Sequence, residues 1–379
     1  MKVHERLDEL RLETSSLSFR RGRSRLAEFS SSSDPVEARD RLRLAGQLHR
    51  LTGRCGRVSV HFPADAKDKK RLEVLAQAVR DNGLTVSAAY PDLLMPRPGS
   101  HLDHRLAFGS LTSPYSDVRV ASINFVDTCL GMMRVLKCRQ IVLCVPDGAD
   151  SPGEKNLVDM LDRILNGLRQ VSFKLRKSES LLLEYRPFDP SFYASAVPDW
   201  GTASWLCRET DPLFRVSLDL ESLLPGSSFE SSLVTAVRSG MAGRVRLADS
   251  VLMGGGLPAG SINSDTLFRV FLCCLQLERA GHMKLSGMPF SVAVNAMVGD
   301  VLEVNLQAVE NVELALARAL LVDLEELEKA QNKPDPAMAS RIMRDAFMTD
   351  VRPIVRRYRE TKGLPPDPLE AYRSGQAQA

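Results

Sequence analysis

The apolar and polar positions along the chain alternate between short, nearly continuous apolar runs and longer stretches with a helical repeat. The short runs are rich in Val, Ile, Leu and Phe, as in strands of a parallel sheet that is covered on both faces. The predicted strands are Ser15–Phe19, Arg57–Phe62, Leu84–Ala89, Gln140–Val145, Leu181–Glu184, Arg215–Asp219, Gly243–Leu247 and Phe290–Asn295. Eight strands that alternate with helices predict an α/β fold, a (β/α)8 TIM-type barrel. A doubly wound sheet is the alternative, and the absence of a GxGxxG motif after an early strand disfavours it.

The helical stretches divide the chain into a barrel and a tail. A leading helix is predicted over Met1–Glu13, and the last barrel helix over Asp300–Glu328. One more long helix is predicted over residues 338–363, followed by an extended, proline-containing strap over residues 364–375. The predicted domains are therefore a TIM-type barrel at residues 1–330 and a C-terminal helical extension at residues 331–379.

Four of the predicted strands carry a polar inner residue at or next to their last position. These candidate catalytic residues are Glu184, Asp219, Arg246 and Asn295. In parallel α/β barrels the active site lies at the rim formed by the carboxyl ends of the strands. The sequence therefore predicts that these four side chains meet at one rim.

The overall composition excludes several classes of function. The 50 basic and 47 acidic residues give a net charge of +3, which is too balanced to indicate nucleic-acid binding. The sequence contains no apolar run long enough for a transmembrane helix and no apolar secretory segment at its start. The seven cysteines are odd in number and scattered, which favours reduced thiols in a cytoplasmic protein.

Several irregular stretches resemble one known family. They are EYRPFDPSFYASAVPDWGTA, ALLVD, the tail TDVRPIVRRYRETKGLPPDPLEAYRSG, and the earlier segments VHFPAD, GSLTSPYSDVR and VPDGADSPG. Together they resemble the bacterial L-rhamnose isomerase family of the xylose-isomerase-like barrels. The resemblance implies a TIM-type barrel, a homotetramer and a pair of Mn²⁺-type ions. In that family the metals assist hydride or proton transfer between C1 and C2 of an open-chain sugar.

The match to the family's metal ligands is uneven. Glu184 and Asp219 stand where the family has its first and second metal carboxylates. Arg246 stands where the family has a ligating histidine, and Asn295 where it has an aspartate. The resemblance thus retains two of the four ligands of the first metal.

The positions around the second metal differ as well. The family's Asp-x-x-His on strand six here ends in Ser222, and its acidic cluster after strand seven is replaced by Gly254, Gly255 and Gly256. Its lysine beside the first carboxylate is Arg186. Its pocket histidine is retained as His61, so His61 and Arg186 are the candidate substrate-binding residues.

The chemistry of Arg246 argues against a bound metal. Hard divalent cations need several oxygen or imidazole donors, whereas arginine has no acceptor and stays charged. We expect Arg246 to enter the former metal space and to pair with Glu184 and Asp219, with Asn295 donating a hydrogen bond to the same cluster. No metal or other cofactor is expected.

Two classes of function follow. The first is an aldose–ketose isomerase that acts on a small sugar or polyol, with the usual metal site lost. The second is a catalytically inactive sugar-binding or structural homologue. Either protein is expected to be a homo-oligomer, a tetramer or a dimer, without nucleic-acid or membrane partners.

Overall fold

A computed structural model describes residues 3–22, 34–94, 103–189, 193–250 and 255–375. Eight parallel strands form a closed barrel in which each strand pairs with its neighbours in the chain, and β8 pairs with β1. The strands are β1 (Leu12–Ser15), β2 (Arg57–Phe62), β3 (Thr85–Pro91), β4 (Gln140–Cys144), β5 (Ser180–Glu184), β6 (Phe214–Asp219), β7 (Ala242–Leu247) and β8 (Phe290–Val292). The predicted (β/α)8 barrel is confirmed.

A helix follows each strand and covers the outside of the barrel. These helices are Ala38–Thr52, Lys69–Asp81, Ser116–Val135, Leu157–Ser172, Trp200–Thr210, Phe229–Arg238, Ser264–Arg279 and Val301–Ala319. Several begin at an Asp, Asn or Ser whose side chain accepts a hydrogen bond from the first turn, as at Asp68 and Asp199. Of the described residues, none belongs to a helix long and apolar enough to cross a membrane.

The start of the chain differs from the prediction. The leading helix covers only Val3–Leu7, and β1 already begins at Leu12, inside the segment that was predicted to be helical. The predicted strand Ser15–Phe19 is wrong, because Ser16–Phe19 form a 3-10 helix. Helix-like periodicity before β1 is overridden by tertiary contacts, since Glu13 on β1 forms an ion pair inside the barrel.

The helices after β8 are shorter than predicted. The stretch Asp300–Glu328 contains two helices, Val301–Ala319 and Leu324–Asn332, and Asp323 caps the second. The predicted long tail helix is also two helices, Pro336–Met348 and Arg352–Thr361. Pro353 lies in the first turn of the latter, where a missing N–H costs nothing, whereas a proline inside one long helix would break it.

The final segment is not an extended strap, because Pro368–Arg373 form a helix. The tail is held to the barrel by a buried ion pair between Arg359 and Glu313 of the last barrel helix. Glu313 Oε1 also accepts a hydrogen bond from Nε of Arg54, at 2.7 Å. Arg54 lies just before β2, so the tail packs at the end of the barrel opposite to the carboxyl ends of the strands. The boundary between residues 330 and 331 stays a prediction.

Two of the motifs that carry the resemblance meet at Asp147, in the loop after β4. Its carboxylate accepts hydrogen bonds from the backbone N–H and the hydroxyl group of both Ser110 and Thr112, at 2.8 to 2.9 Å. Gly109 has φ +106°, and a Cβ there would lie 2.2 Å from Thr112 Oγ1. These stretches therefore have a structural role, which is to fix the loops around the barrel rim.

Candidate active site

A cavity of about 440 Å³ lies at the carboxyl ends of the barrel strands. Five of the six candidate residues line it: His61, Glu184, Arg186, Arg246 and Asn295. The sixth, Asp219, does not line the cavity and lies beneath it, against Arg246. Three of the four predicted catalytic residues therefore line one cavity, and the fourth, Asp219, contacts Arg246 in its wall.

Glu184 is bound to an arginine that the sequence analysis missed. Nη2 of Arg244 lies 2.9 Å from Oε1 of Glu184, and its Nη1 lies 2.9 Å from Oε1 of Glu13. The hydroxyl group of Tyr90 donates a further hydrogen bond to Glu184 Oε1, at 3.0 Å. Arg244 is fully buried, and Glu13 and Glu184 are 4 % and 7 % exposed. The centre of the barrel thus holds one arginine between two carboxylates.

The predicted pairing of Arg246 with Glu184 is wrong. Side chains two residues apart on a strand point to the same face, so Arg244 and Arg246 both enter the barrel from β7. Arg244 is deeper and takes Glu184, which leaves Arg246 nearer to the rim. The alternation of inward and outward side chains along β7 could have predicted the role of Arg244, because it places both arginines on the inner face of the barrel.

Arg246 pairs with Asp219, as predicted. Its Nη1 lies 2.7 Å from Oδ2 of Asp219. The hydroxyl group of Ser222 donates to the same oxygen at 3.0 Å, and the backbone N–H of Glu221 donates to Oδ1 at 3.1 Å. Both oxygens of the Asp219 carboxylate therefore already accept hydrogen bonds from neighbouring donors.

Glu221 is a second acid of the site that the sequence analysis did not select. It lies in a single 3-10 turn directly after β6, lines the cavity and is 5 % exposed. Nη2 of Arg246 is 3.5 Å from its Oε2, a longer contact than that of Asp219. Burial raises the pKa of Glu221 above its usual value; Arg246 opposes this effect and the charge of Asp219 adds to it. Glu221 is thus a cavity carboxyl that can carry a proton.

His61, at the end of β2, lies between two hydrogen-bonding partners. Its Nε2 is 3.0 Å from the hydroxyl group of Ser15, and its Nδ1 is 3.2 Å from Oδ2 of Asp92. Its ring stacks on Tyr90, with 4.4 Å between the ring centroids. Burial by itself would lower the pKa of His61, but the charge and hydrogen bond of Asp92, together with the charges of Asp65 and Glu184, raise that pKa.

Asn295 lies outside β8, which ends at Val292 rather than at Asn295 as predicted. Its backbone N–H donates to the carbonyl oxygen of Gly256 at 2.7 Å, while its side chain lies against Gly22. Among the residues that the structure describes, the Asn295 amide does not donate the predicted hydrogen bond to Glu184 or Asp219. The loop, not the strand, sets the orientation of this amide. Gly254 lies outside the described residues.

The carboxylates of the site do not converge as metal ligands would. Glu184 is bonded to Arg244 and Tyr90, and Asp219 to Arg246 and Ser222. Within the described ranges, no three His, Cys, Asp or Glu side chains are grouped so that they could hold a metal ion. Two guanidinium groups lie among these acids, and a guanidinium repels a cation.

Comparisons with known proteins show which sequences and which folds this chain is similar to. No family model matches the chain. A relative in Mesorhizobium japonicum, named "Probable sugar isomerase", is 28% identical over 353 residues, which cover 93% of this chain and 81% of the relative. A xylose isomerase domain protein from Alicyclobacillus acidocaldarius superposes with a TM-score of 0.54 at 14% identity, over 82% of this chain and 99% of that chain. The chain has the xylose-isomerase-like barrel fold.

A second solved structure agrees on the architecture. The structure of an L-ribulose 3-epimerase superposes with a TM-score of 0.54 at 16% identity, over 86% of this chain and 98% of that chain. At this identity the similarity shows the fold alone. The residues of the cavity must therefore carry the argument about chemistry.

Proposed function

We propose that this protein is a sugar isomerase that interconverts the aldose and ketose forms of a small sugar without a bound metal ion. The sugar isomerase relative supports the class of reaction. The observation that carries the metal-independent form is the placement of Arg246, a cation that lines the cavity in contact with Asp219 and Glu221. We propose L-rhamnose and aldoses of similar size as the first substrates to test, because of the resemblance described above.

Arg246 would supply the charge that a metal supplies in related enzymes. Isomerisation through an enediol places negative charge on the oxygen at C1 or C2 of the open-chain sugar. A metal stabilises such an oxygen as a Lewis acid, and a fixed guanidinium stabilises it by charge and hydrogen bonds. The side chain of Arg246 is 13% exposed, so it is held rigidly yet can reach a bound ligand.

Two cavity side chains would move the protons. In the aldose-to-ketose direction, the Glu221 carboxylate removes the proton from C2, and the electron pair moves through the new C1–C2 double bond to the carbonyl oxygen. Glu221 returns the proton to C1. Protonated His61 gives its proton to the oxygen on C1, and it then takes the proton from the hydroxyl group on C2. Asp219 is a poorer base because neighbouring donors bind both of its oxygens, and Glu184 is a poorer base because Arg244 and Tyr90 both bind its Oε1.

One observation favours the second candidate, a catalytically inactive sugar-binding or structural homologue. Both carboxylates that correspond to the family's metal ligands are bound to arginines, so the usual chemistry has no metal to rely on. In that case the cavity would bind a sugar, and no carbon-bound proton would exchange.

We further propose a cytoplasmic homo-oligomer; the seven free cysteines support the reducing compartment.

Incubation of the purified protein with L-rhamnose and a panel of aldoses tests the proposal. We expect ketose formation, and incorporation of solvent deuterium at C1 of the ketose, in buffer that contains EDTA. Deuterium enters because the proton on Glu221 can exchange with water before it returns to the sugar. A protein that binds an aldose but forms no ketose and incorporates no deuterium would support the inactive homologue instead.

A further inference from the structure

We infer that the ligand of this cavity is an anionic sugar, which carries a carboxylate or a phosphate group that Arg186 binds. The inference rests on the proposed function only in that the ligand is a sugar. It names the class of sugar: a sugar acid or a sugar phosphate rather than a neutral aldose.

The first observation is that the acids lining the cavity are already paired. Glu13 and Glu184 share Arg244, and Glu221 contacts Arg246. Asp92 is 3.2 Å from Nδ1 of His61. Each acid that lines the cavity therefore already has an arginine or histidine partner within the site.

The second observation is that Arg186 has no such partner. No carboxylate of the described residues lies within ion-pair distance of its guanidinium group, although it follows Glu184 by only two positions. Its backbone N–H donates to the carbonyl oxygen of Val197 at 3.0 Å, which fixes the main chain after β5. The side chain is exposed, and it lines the cavity. Arg186 therefore presents to the cavity a guanidinium group that forms no ion pair with a carboxylate of the described residues.

The third observation is the surrounding charge. Arg186 and Arg246 line the same cavity, where the charge of Arg246 acts against that of Arg186 and the charges of Glu184 and Asp219 act in its favour. Arg21 lines the cavity too, and it pairs with Asp34. A guanidinium group without a carboxylate partner attracts anions and raises their local concentration. An anionic group relieves the repulsion between Arg186 and Arg246, whereas a neutral hydroxyl group does not.

The chemistry of arginine fits this ligand. Its planar guanidinium group binds carboxylate and phosphate oxygens in pairs, with charge-assisted hydrogen bonds that are about twice as strong as neutral ones. Arg186 would then hold the anionic end of the sugar and leave the reactive carbons near Arg246 and Glu221. Arg186 would bind the substrate without taking part in proton transfer.

Calorimetric titration with D-glucuronate, D-glucose 6-phosphate and D-glucose tests the inference. We expect at least one anionic probe to bind about 10- to 100-fold more tightly than D-glucose, the range that a hydrogen bond to a charged group gives. Arg186→Gln should remove this difference, and Arg186→Lys should keep part of it. Arg50→Gln is the matched control, because Arg50 is exposed on helix Ala38–Thr52 and lies outside the cavity.

The outcomes separate this inference from the proposed isomerase activity. Preference for glucuronate alone identifies a sugar acid, and preference for the phosphate ester alone identifies a sugar phosphate. Equal binding of all three probes, or an anion preference that survives in Arg186→Gln, overturns the inference. If an anionic probe binds through Arg186 but no ketose forms, the inference stands and the isomerase proposal fails.

Discussion

Replacing Arg244 by methionine should lower the free energy of unfolding by about 3–5 kcal/mol, the cost of breaking a buried ion pair by removal of one partner. The fully buried guanidinium group of Arg244 compensates the charges of Glu13 and Glu184. Without it, two carboxylates remain in the barrel centre with no cation between them. The expected effect is large because methionine fills the volume but leaves these charges unpaired.

Urea unfolding followed by circular dichroism measures this effect. Arg238→Met is the matched control, because Arg238 is exposed at the end of helix Phe229–Arg238, and its change should stay within about 0.5 kcal/mol. The triple variant Arg244→Met with Glu13→Gln and Glu184→Gln should recover part of the stability, since the charges are gone. If the free energy of unfolding falls no more in Arg244→Met than in Arg238→Met, the result contradicts the central role of Arg244.

The Glu221→Gln variant should lower kcat for ketose formation by about 10²- to 10⁴-fold, the usual contribution of a general acid or base. The amide keeps the shape of the side chain but cannot accept the proton from C2. Substrate binding should change less, because Arg246 and Arg186 remain. Glu209→Gln, the same change at an exposed position, should leave kcat unaltered.

The pH profile gives a second readout of the same residue. Glu221 must be deprotonated to act as a base, and burial raises its pKa, so activity should rise as the pH increases through a value above that of an ordinary glutamate. His61 has the opposite pH dependence, because its protonated form donates to the oxygen on C1. Activity should therefore fall again as the pH rises above the raised pKa of His61. Glu221→Gln should abolish the acidic limb of this bell-shaped profile; a profile with an unchanged acidic limb would assign the base to another group.

The barrel could be predicted from the sequence because its strands are buried on both faces. Runs such as Arg57–Phe62 and Leu181–Glu184 differ from the observed strands by at most one residue. The predicted helix and strand bounds are wrong where tertiary contacts or helix caps, and not the hydrophobic pattern, determine the local structure. The helical pattern before Leu12 gives way to a strand whose Glu13 reaches Arg244, and Asp323 and Pro353 start new helices inside segments that look continuous.

The sequence predicted where the candidate site lies, but not which arginine forms an ion pair with which acid. Strand ends placed Glu184, Asp219 and Arg246 at one rim without any knowledge of distances. Which arginine meets which acid depends on the depth of each side chain in the barrel, and depth follows from strand stagger, which the sequence does not display. Glu221 was missed because it follows the strand in a 3-10 turn, where strand alternation no longer applies.

Metal analysis of the purified, untagged protein by plasma mass spectrometry tests the central claim most directly, namely that Arg246 occupies the place of a metal ion. Protein purified without chelator from medium supplemented with Mn²⁺, Co²⁺ and Zn²⁺ should contain only substoichiometric amounts of each, because Arg244 and Arg246 already bind the carboxylates that a metal would need. One Mn, Co or Zn ion per chain, lost in an Asp219→Asn variant, would contradict the account.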